Sequence, residues 1–201
     1  MSDGGDVPDH LSEGPTFDDP EYLFGERTVG EIGDTHEVIA DVVDRLPGGY
    51  RDDSVRYFVL GNYDDPQKER LRTAKSLLAD PPHVSIALLL DDLDVATDDW
   101  NNFYLKFRVV LDLTDFAVVV AEDNDGGHEL ELGELPLDST YVAKRDYADA
   151  AIDEDLEREK YDAMMAKLFE LLDANDQLVE WRSRREFEHA IGRIGVWTLP
   201  N

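Results

Sequence analysis

The sequence predicts a three-layer α/β fold built on a mostly parallel sheet. Two observations carry that prediction. Short apolar runs alternate with amphipathic helical segments between residues 55 and 145, which is the pattern of βαβ units joined by crossovers. The clearest of those runs are almost continuously apolar, as strands covered on both faces must be. About four or five strands fit this length. The predicted organisation is an acidic arm and short docking helix over 1–52, an α/β core domain over 53–150, and a helical C-terminal extension over 151–201.

Each element has its own signal. Residues 1–22 hold seven acids, three Pro and no Lys or Arg. They offer too little apolar surface to fold alone and read as a disordered arm. Asp34 to Leu46 spaces Val38, Ile39, Val42, Val43 and Leu46 as a helical stripe, and Pro47-Gly48-Gly49 ends it. Val55 to Leu60 reads as the first strand and runs into Gly61-Asn62-Tyr63. Asp64 or Asp65 can then cap a helix that has Pro66 in its first turn. That helix carries Leu71, Ala74, Leu77 and Leu78 on one face, and Pro81-Pro82 stops it. Ser85 to Leu90 is the second strand. Asp98 to Thr114 is the strongest helix, with Trp100, Phe103, Tyr104, Phe107, Val110 and Leu111 at helical spacing. Phe116 to Ala121 and Thr140 to Lys144 complete the strands. Glu154 to Ala174 and roughly Arg184 to Ile191 make the tail helical, with Asn175-Asp176 between them. Met164, Met165 and Phe169 read as core or docking residues.

Composition restricts partners. The chain has 47 Asp plus Glu against 19 Lys plus Arg, for a formal net charge of −28. That charge repels phosphate backbones and anionic bilayers, so neither nucleic acid nor membrane is expected as a partner. Lys is rare, 6 against 13 Arg. The acid excess with few Lys is a halophilic composition, suited to molar salt that shrinks the Debye length to roughly 3 Å. There is no Cys, which excludes disulfides, thiolate metal sites and a Cys nucleophile. The N-terminus has no signal-peptide pattern, and no apolar run approaches the roughly 20 residues of a membrane helix. A cytoplasmic protein is expected.

Ligands of open parallel sheets sit beyond the carboxyl ends of the strands. Here those ends are Gly61-Asn62-Tyr63, Asp91-Asp92, Glu122 to Gly127, and Arg145-Asp146. The segment FAVVVAEDNDGGHELELGEL, residues 116–135, is the most informative: a strand, an acidic Gly-rich turn, then Glu131, Leu132 and Gly133. Asp125, Gly127, Glu131 and Gly133 at this spacing resemble the signature of the nucleoside 2-deoxyribosyltransferase-like family. The resemblance spans about residues 55–145 and includes Thr114-Asp115 and the run Phe58 to Asn62. The whole chain also resembles haloarchaeal proteins with this core and a helical tail.

The resemblance implies a Rossmann/flavodoxin-like fold, Glu131 as the nucleophile that attacks an anomeric carbon, and Asp125 as the assisting acid. It implies substrate contacts at Gly61, Asn62, Tyr63, Gly127 and His128, a nucleoside or nucleotide as the small-molecule partner, and assembly that allows a homodimer. The sequence departs from the pattern at four places. His128 stands where the family prefers Ser or Thr, and Asn62 replaces a Pro. Phe107 falls near the position of an acid that the transferases use. Phe58 lies where transferases often present a substrate-contacting Tyr.

The chemistry is coherent. N-glycosidic cleavage passes through an oxocarbenium-like state that a carboxylate can trap, and a second acid can protonate the departing base. Two structural alternatives stay open: Glu131 in the first turn of a helix beside its positive end, or a β-hairpin of Phe116–Ala121 with His128–Leu132, whose residues alternate at period two. Three functions stay open as well: the N-glycosidase or transferase, a non-catalytic binding module on the same fold, and a TIR-like NAD glycohydrolase. Asp123, Asp125 and Glu134 imitate part of a calcium loop, but Gly127 and His128 occupy its fifth and sixth positions. The scattered His have no zinc spacing, and no Walker A or G-x-G-x-x-G motif is present, so no metal or cofactor is expected. Lys144-Arg145 is the only basic doublet of the core, and two readings stay open for it: a site for a phosphate or carboxylate and, favoured, ion pairs with neighbouring acids.

Overall fold

The computed structural model describes residues 54–79, 85–93, 103–122, 135–147, 161 and 163–199. Within them five strands form one parallel sheet. The elements, in chain order, are β1 (Val55–Gly61), α1 (Gln67–Leu78), β2 (Ser85–Leu88), a 3-10 turn (Leu90–Leu93), α2 (Phe103–Asp112) and β3 (Phe116–Ala121). A second 3-10 turn (Leu137–Ser139), β4 (Thr140–Arg145), α3 (Ala163–Ala174), β5 (Leu178–Trp181) and α4 (Arg184–Trp197) follow. The strand order is β2-β1-β3-β4-β5, and every neighbouring pair is parallel. This is the flavodoxin-like doubly wound order.

Period-two alternation divides the apolar strands between two cores. Phe58, Leu60, Val119 and Val142 face α2 and α3, where Phe107, Val110, Met165, Phe169 and Leu172 meet them. Tyr57, Val59, Val118 and Val120 face α1 and α4, where Leu71, Ala74, Phe187, Ile191 and Ile194 close the other side. Covering both faces explains why β3, and β1 from Tyr57 to Leu60, can be apolar at successive positions. It also fixes register, because a one-residue slip would exchange the two cores.

The predicted adjacency of the first three strands holds. β1 lies between β2 and β3. The hairpin alternative is overturned by the same pairing. β3 hydrogen-bonds β1 on one edge and β4 on the other, so neither edge remains for His128–Leu132. β2 is shorter than the predicted Ser85–Leu90, for a local reason. The Leu89 N–H donates to the Asp92 carboxylate at 2.6 Å, and the Leu90 N–H to the Tyr63 hydroxyl at 2.9 Å. Side-chain acceptors replace the strand ladder, and the chain turns into a 3-10 turn. The cap predicted for α1 is corrected too. Pro66 holds the N-cap position, after a cis bond from Asp65, and no side chain caps the helix. Instead Asn62 Oδ1 accepts from the Asp64 N–H at 2.8 Å. Leu77, predicted on the buried face of α1, is 38% exposed.

The largest correction concerns the tail. It is not a purely helical extension of a core that ends near 150. Leu178–Trp181 is a strand that adds to β4, and α4 packs on the same sheet. Asp176 adopts a left-handed φ of 56° and releases the chain from α3 into β5. Ser183 then starts α4, its hydroxyl accepting from the Glu186 N–H. Tyr57 and Thr198, 141 positions apart, share a buried 2.6 Å hydrogen bond that ties the end of α4 to β1. Met165 and Phe169 are core, as predicted, whereas Met164 is exposed. The arm, the docking helix predicted over 34–46, the start of the helix predicted from Asp98, and residues 148–160 lie outside the described residues. Among the described residues no helix is long and apolar enough to cross a membrane.

Candidate functional site

The chain runs outward from β1 to β2, then returns across β1 to β3 and continues to β4 and β5. The switch point of the sheet therefore lies between β1 and β3, where ligands of doubly wound folds bind. Gly61 pairs with Val120. The β1–α1 turn, Gly61-Asn62-Tyr63, thus stands beside the carboxyl end of β3, and Glu122 lies two residues beyond Val120.

Gly61 is required here by geometry. Its φ is +152°, and a Cβ would sit 2.8 Å from the Val120 carbonyl oxygen and 2.9 Å from Leu71 Cδ2. The close approach of β1, β3 and α1 leaves no room for a side chain. Asn62 is buried and shapes the turn through its bond to Asp64. Tyr63 is half-buried, with its hydroxyl accepting from the Leu90 N–H and the Lys68 ammonium 5.7 Å from its ring centroid. Three of the predicted site residues, Gly61, Asn62 and Tyr63, are therefore together at the switch point. The other four, Asp125, Gly127, His128 and Glu131, lie outside the described residues, in the segment that leaves β3 directly after Glu122.

The sequence did not single out the most unusual group of this edge. Glu122 is a buried carboxylate, its side chain 2% exposed, and it binds two arginines. Arg70 Nε of α1 donates to Oε1 in a short contact, and Arg145 Nη1 of β4 donates to Oε2 at 3.1 Å. Register brings Arg145 there. Ala121 pairs with Lys144, so the next residues on the two strands, Glu122 and Arg145, are also neighbours. Aromatic rings surround the pair. The Arg145 guanidinium lies 4.9 Å from the Tyr147 ring centroid and 5.3 Å from that of Trp181, and Arg70 lies 6.0 Å from Trp181. Trp181 is itself fixed by its indole N–H, which donates to the Ala143 carbonyl at 3.1 Å. The Tyr147 hydroxyl donates to the Glu122 carbonyl. One sequence signal was available: an acid placed immediately after the apolar run FAVVVA, at a carboxyl edge. Arg70 had no such signal, since only the packing of α1 aims it at the sheet.

Lys144 and Arg145 pair with acids, as expected, Lys144 with Glu180 at 3.0 Å and Arg145 with Glu122. Arg182 bonds Asp146 at 2.6 Å through its side chain and donates its backbone N–H to Glu186, and Arg184 pairs with Glu188. A hollow of about 480 Å³ opens beyond β2, lined by Lys68, Arg72, Lys75, Asp91 and Asp92 among others. Its lysines are matched by ion pairs to Asp91 and Asp92.

Two positions highlighted by the family resemblance are not at the site. Phe58 and Phe107 are both buried in the core against each other. Asp115 lies at the opposite, amino-terminal end of β3, where Arg56 holds its carboxylate with the backbone N–H at 2.9 Å and the side chain at 3.0 and 2.7 Å. Burial pushes the Asp115 carboxyl up, but the Arg56 hydrogen bonds outweigh it and hold the group below its ordinary value. That role is structural.

Residues 22–193 match the protein family described as Family of unknown function (DUF8170). The chain belongs to this family. No curated protein and no solved structure matches it. Within this DUF8170 member, the groups that the described residues bring to the switch point are a glycine-defined turn, a buried Asn, and a carboxylate clasped by two arginines. A tight turn of this kind brings backbone close to a ligand, and the arginines present fixed positive charge beside it. Among the described residues no group of three or more His, Asp or Glu side chains could hold a metal ion.

Proposed function

We propose that this protein cleaves or transfers the N-glycosidic bond of a nucleoside or nucleotide at the carboxyl edge of its sheet, with Glu131 as nucleophile and Asp125 assisting. One observation carries the reading. The β1–β3 switch point holds Gly61-Asn62-Tyr63, and Glu122 follows the end of β3 there, directly before the segment that contains Asp125 and Glu131. In the proposed reaction a Glu131 oxygen bonds the anomeric carbon while the carbon–nitrogen bond breaks. The bonding pair leaves with the base, which takes up a proton from Asp125 or His128. Water or a second base then displaces the carboxylate.

The test is incubation of the protein in molar KCl with a panel of nucleosides, nucleotides and NAD, followed for released base. Glu131→Gln keeps the shape and removes the nucleophile, and base release is expected to fall by at least about a hundredfold. Equal rates for variant and wild type would end the nucleophile assignment. Preference for NAD would favour a TIR-like glycohydrolase.

A non-catalytic binding module on the same fold is the second reading. The observation that favours it is Phe107, buried where the resemblance calls for a recognition acid. Ligand binding without any base release across the panel would decide for the module.

A further inference from the structure

We propose that Arg70 and Arg145 form a receptor for a phosphate group at the carboxyl edge of the sheet, with Glu122 as the buried post that aims both guanidinium forks. The argument begins with charge. One arginine would neutralise Glu122, yet two bind it. Among the described residues the cluster holds two positive charges against one negative, in a chain whose net charge is −28. Half-buried excess charge is unfavourable unless something answers it.

The remaining donors are positioned to receive that answer. Arg70 uses only Nε on Glu122, and Arg145 uses only Nη1. The other guanidinium N–H groups of both bond no residue among those described. The two side chains are 24% and 35% exposed, while Glu122 is 2% exposed. The acid is thus closed to solvent while both arginine side chains remain partly exposed. The Arg145 guanidinium carbon lies over the Tyr147 and Trp181 rings, contacts that hold the cation in place without using its N–H donors. Several N–H donors from two planar forks match a tetrahedral dianion with many acceptor oxygens better than a single carboxylate. The site also lies where a doubly wound sheet binds its ligand. It stands independently of any role for Glu131, so the two readings fail separately.

The test uses the full-length protein at fixed KCl concentration, with ³¹P line broadening of inorganic phosphate as the readout and ribose 5-phosphate as a second probe. Wild type should broaden the phosphate signal saturably at millimolar concentrations. Arg145→Gln should weaken binding about tenfold or more, the loss of a charge-assisted contact. Glu122→Gln should bind phosphate several-fold more tightly than wild type, because a competing carboxylate is gone. A purely structural ion-pair cluster would show no such gain. Tighter binding of ribose 5-phosphate than of phosphate would identify a phosphomonoester, and equal binding the free anion. Absence of saturable broadening with wild type for both probes would overturn the proposal, whether or not the variants fold. So would Arg145→Gln binding as well as wild type.

Discussion

Phe58 and Phe107 pack ring against ring, their centroids 5.6 Å apart and both side chains closed to solvent. One comes from the middle of β1 and the other from α2, so the pair joins the sheet to its covering layer. A carboxylate at 107 would be unpaired and desolvated in this core.

The first prediction follows. Phe107→Ala should cost about 3–5 kcal/mol, or roughly 6–20 °C in melting temperature for a chain of this size. Phe107→Asp should lose at least as much and gain no base-releasing activity. Thermal unfolding by circular dichroism checks the first statement and a base-release assay the second. A well-folded Phe107→Asp protein with new activity would instead place residue 107 at the substrate.

Gly61 supports a second prediction. An added methyl at this φ of +152° would press on the Val120 backbone oxygen, which β-sheet pairing prevents from moving. Gly61→Ala should therefore destabilise by roughly 1–3 kcal/mol, read as a lower melting temperature. An unchanged melt would mean that β1 and β3 separate more easily at this end than their packing indicates.

These two residues also show what a sequence can and cannot disclose. The strands β1 and β3 were legible because both of their faces are buried, which leaves the apolar runs Tyr57–Leu60 and Phe116–Ala121. The switch point followed from strand and helix alternation, and with it the setting of Gly61-Asn62-Tyr63. β5 was not legible. Leu178–Trp181 has four residues and includes the exposed Glu180, so it reads as a spacer between helices. Its context held the missing signal: a turn at Asn175-Asp176 before it and a Ser183-x-x-Glu186 capping pattern after it extend the βαβ alternation by one unit. Phe58 and Phe107 were marked by alignment with a family pattern, which carries position but not packing. Glu122 escaped notice because its partners come from α1 and β4, and only the three-dimensional register brings them together.

The third prediction concerns salt. A net charge of −28 imposes self-repulsion on the compact state that unfolding relieves. Screening by KCl should raise the melting temperature between about 0.1 M and molar concentration, where the Debye length falls from about 10 to 3 Å. A melting temperature that is flat or falls over this range would contradict a salt-adapted protein.

The fourth prediction uses the Arg56–Asp115 clasp at the amino-terminal edge of β3. The Asp115 carboxylate accepts three hydrogen bonds from Arg56, and its own N–H donates back to the Arg56 carbonyl at 2.9 Å. Asp115→Asn keeps the size and removes the charge. The clasp is partly exposed, so screening limits its worth to about 1 kcal/mol. The pH dependence has a definite sign. Burial alone would raise the Asp115 carboxyl, but the Arg56 hydrogen bonds dominate and lower it in the folded protein. A lowered carboxyl contributes stability above the unfolded carboxylate range near about pH 4. That contribution disappears as pH falls through the folded value. The gap in melting temperature between wild type and Asp115→Asn should therefore be full at neutral pH and close progressively below about pH 4. Melts of the two proteins in parallel at fixed KCl cancel the many other carboxylates of this chain. A gap that stays constant into acid would show that Asp115 acts through shape rather than charge.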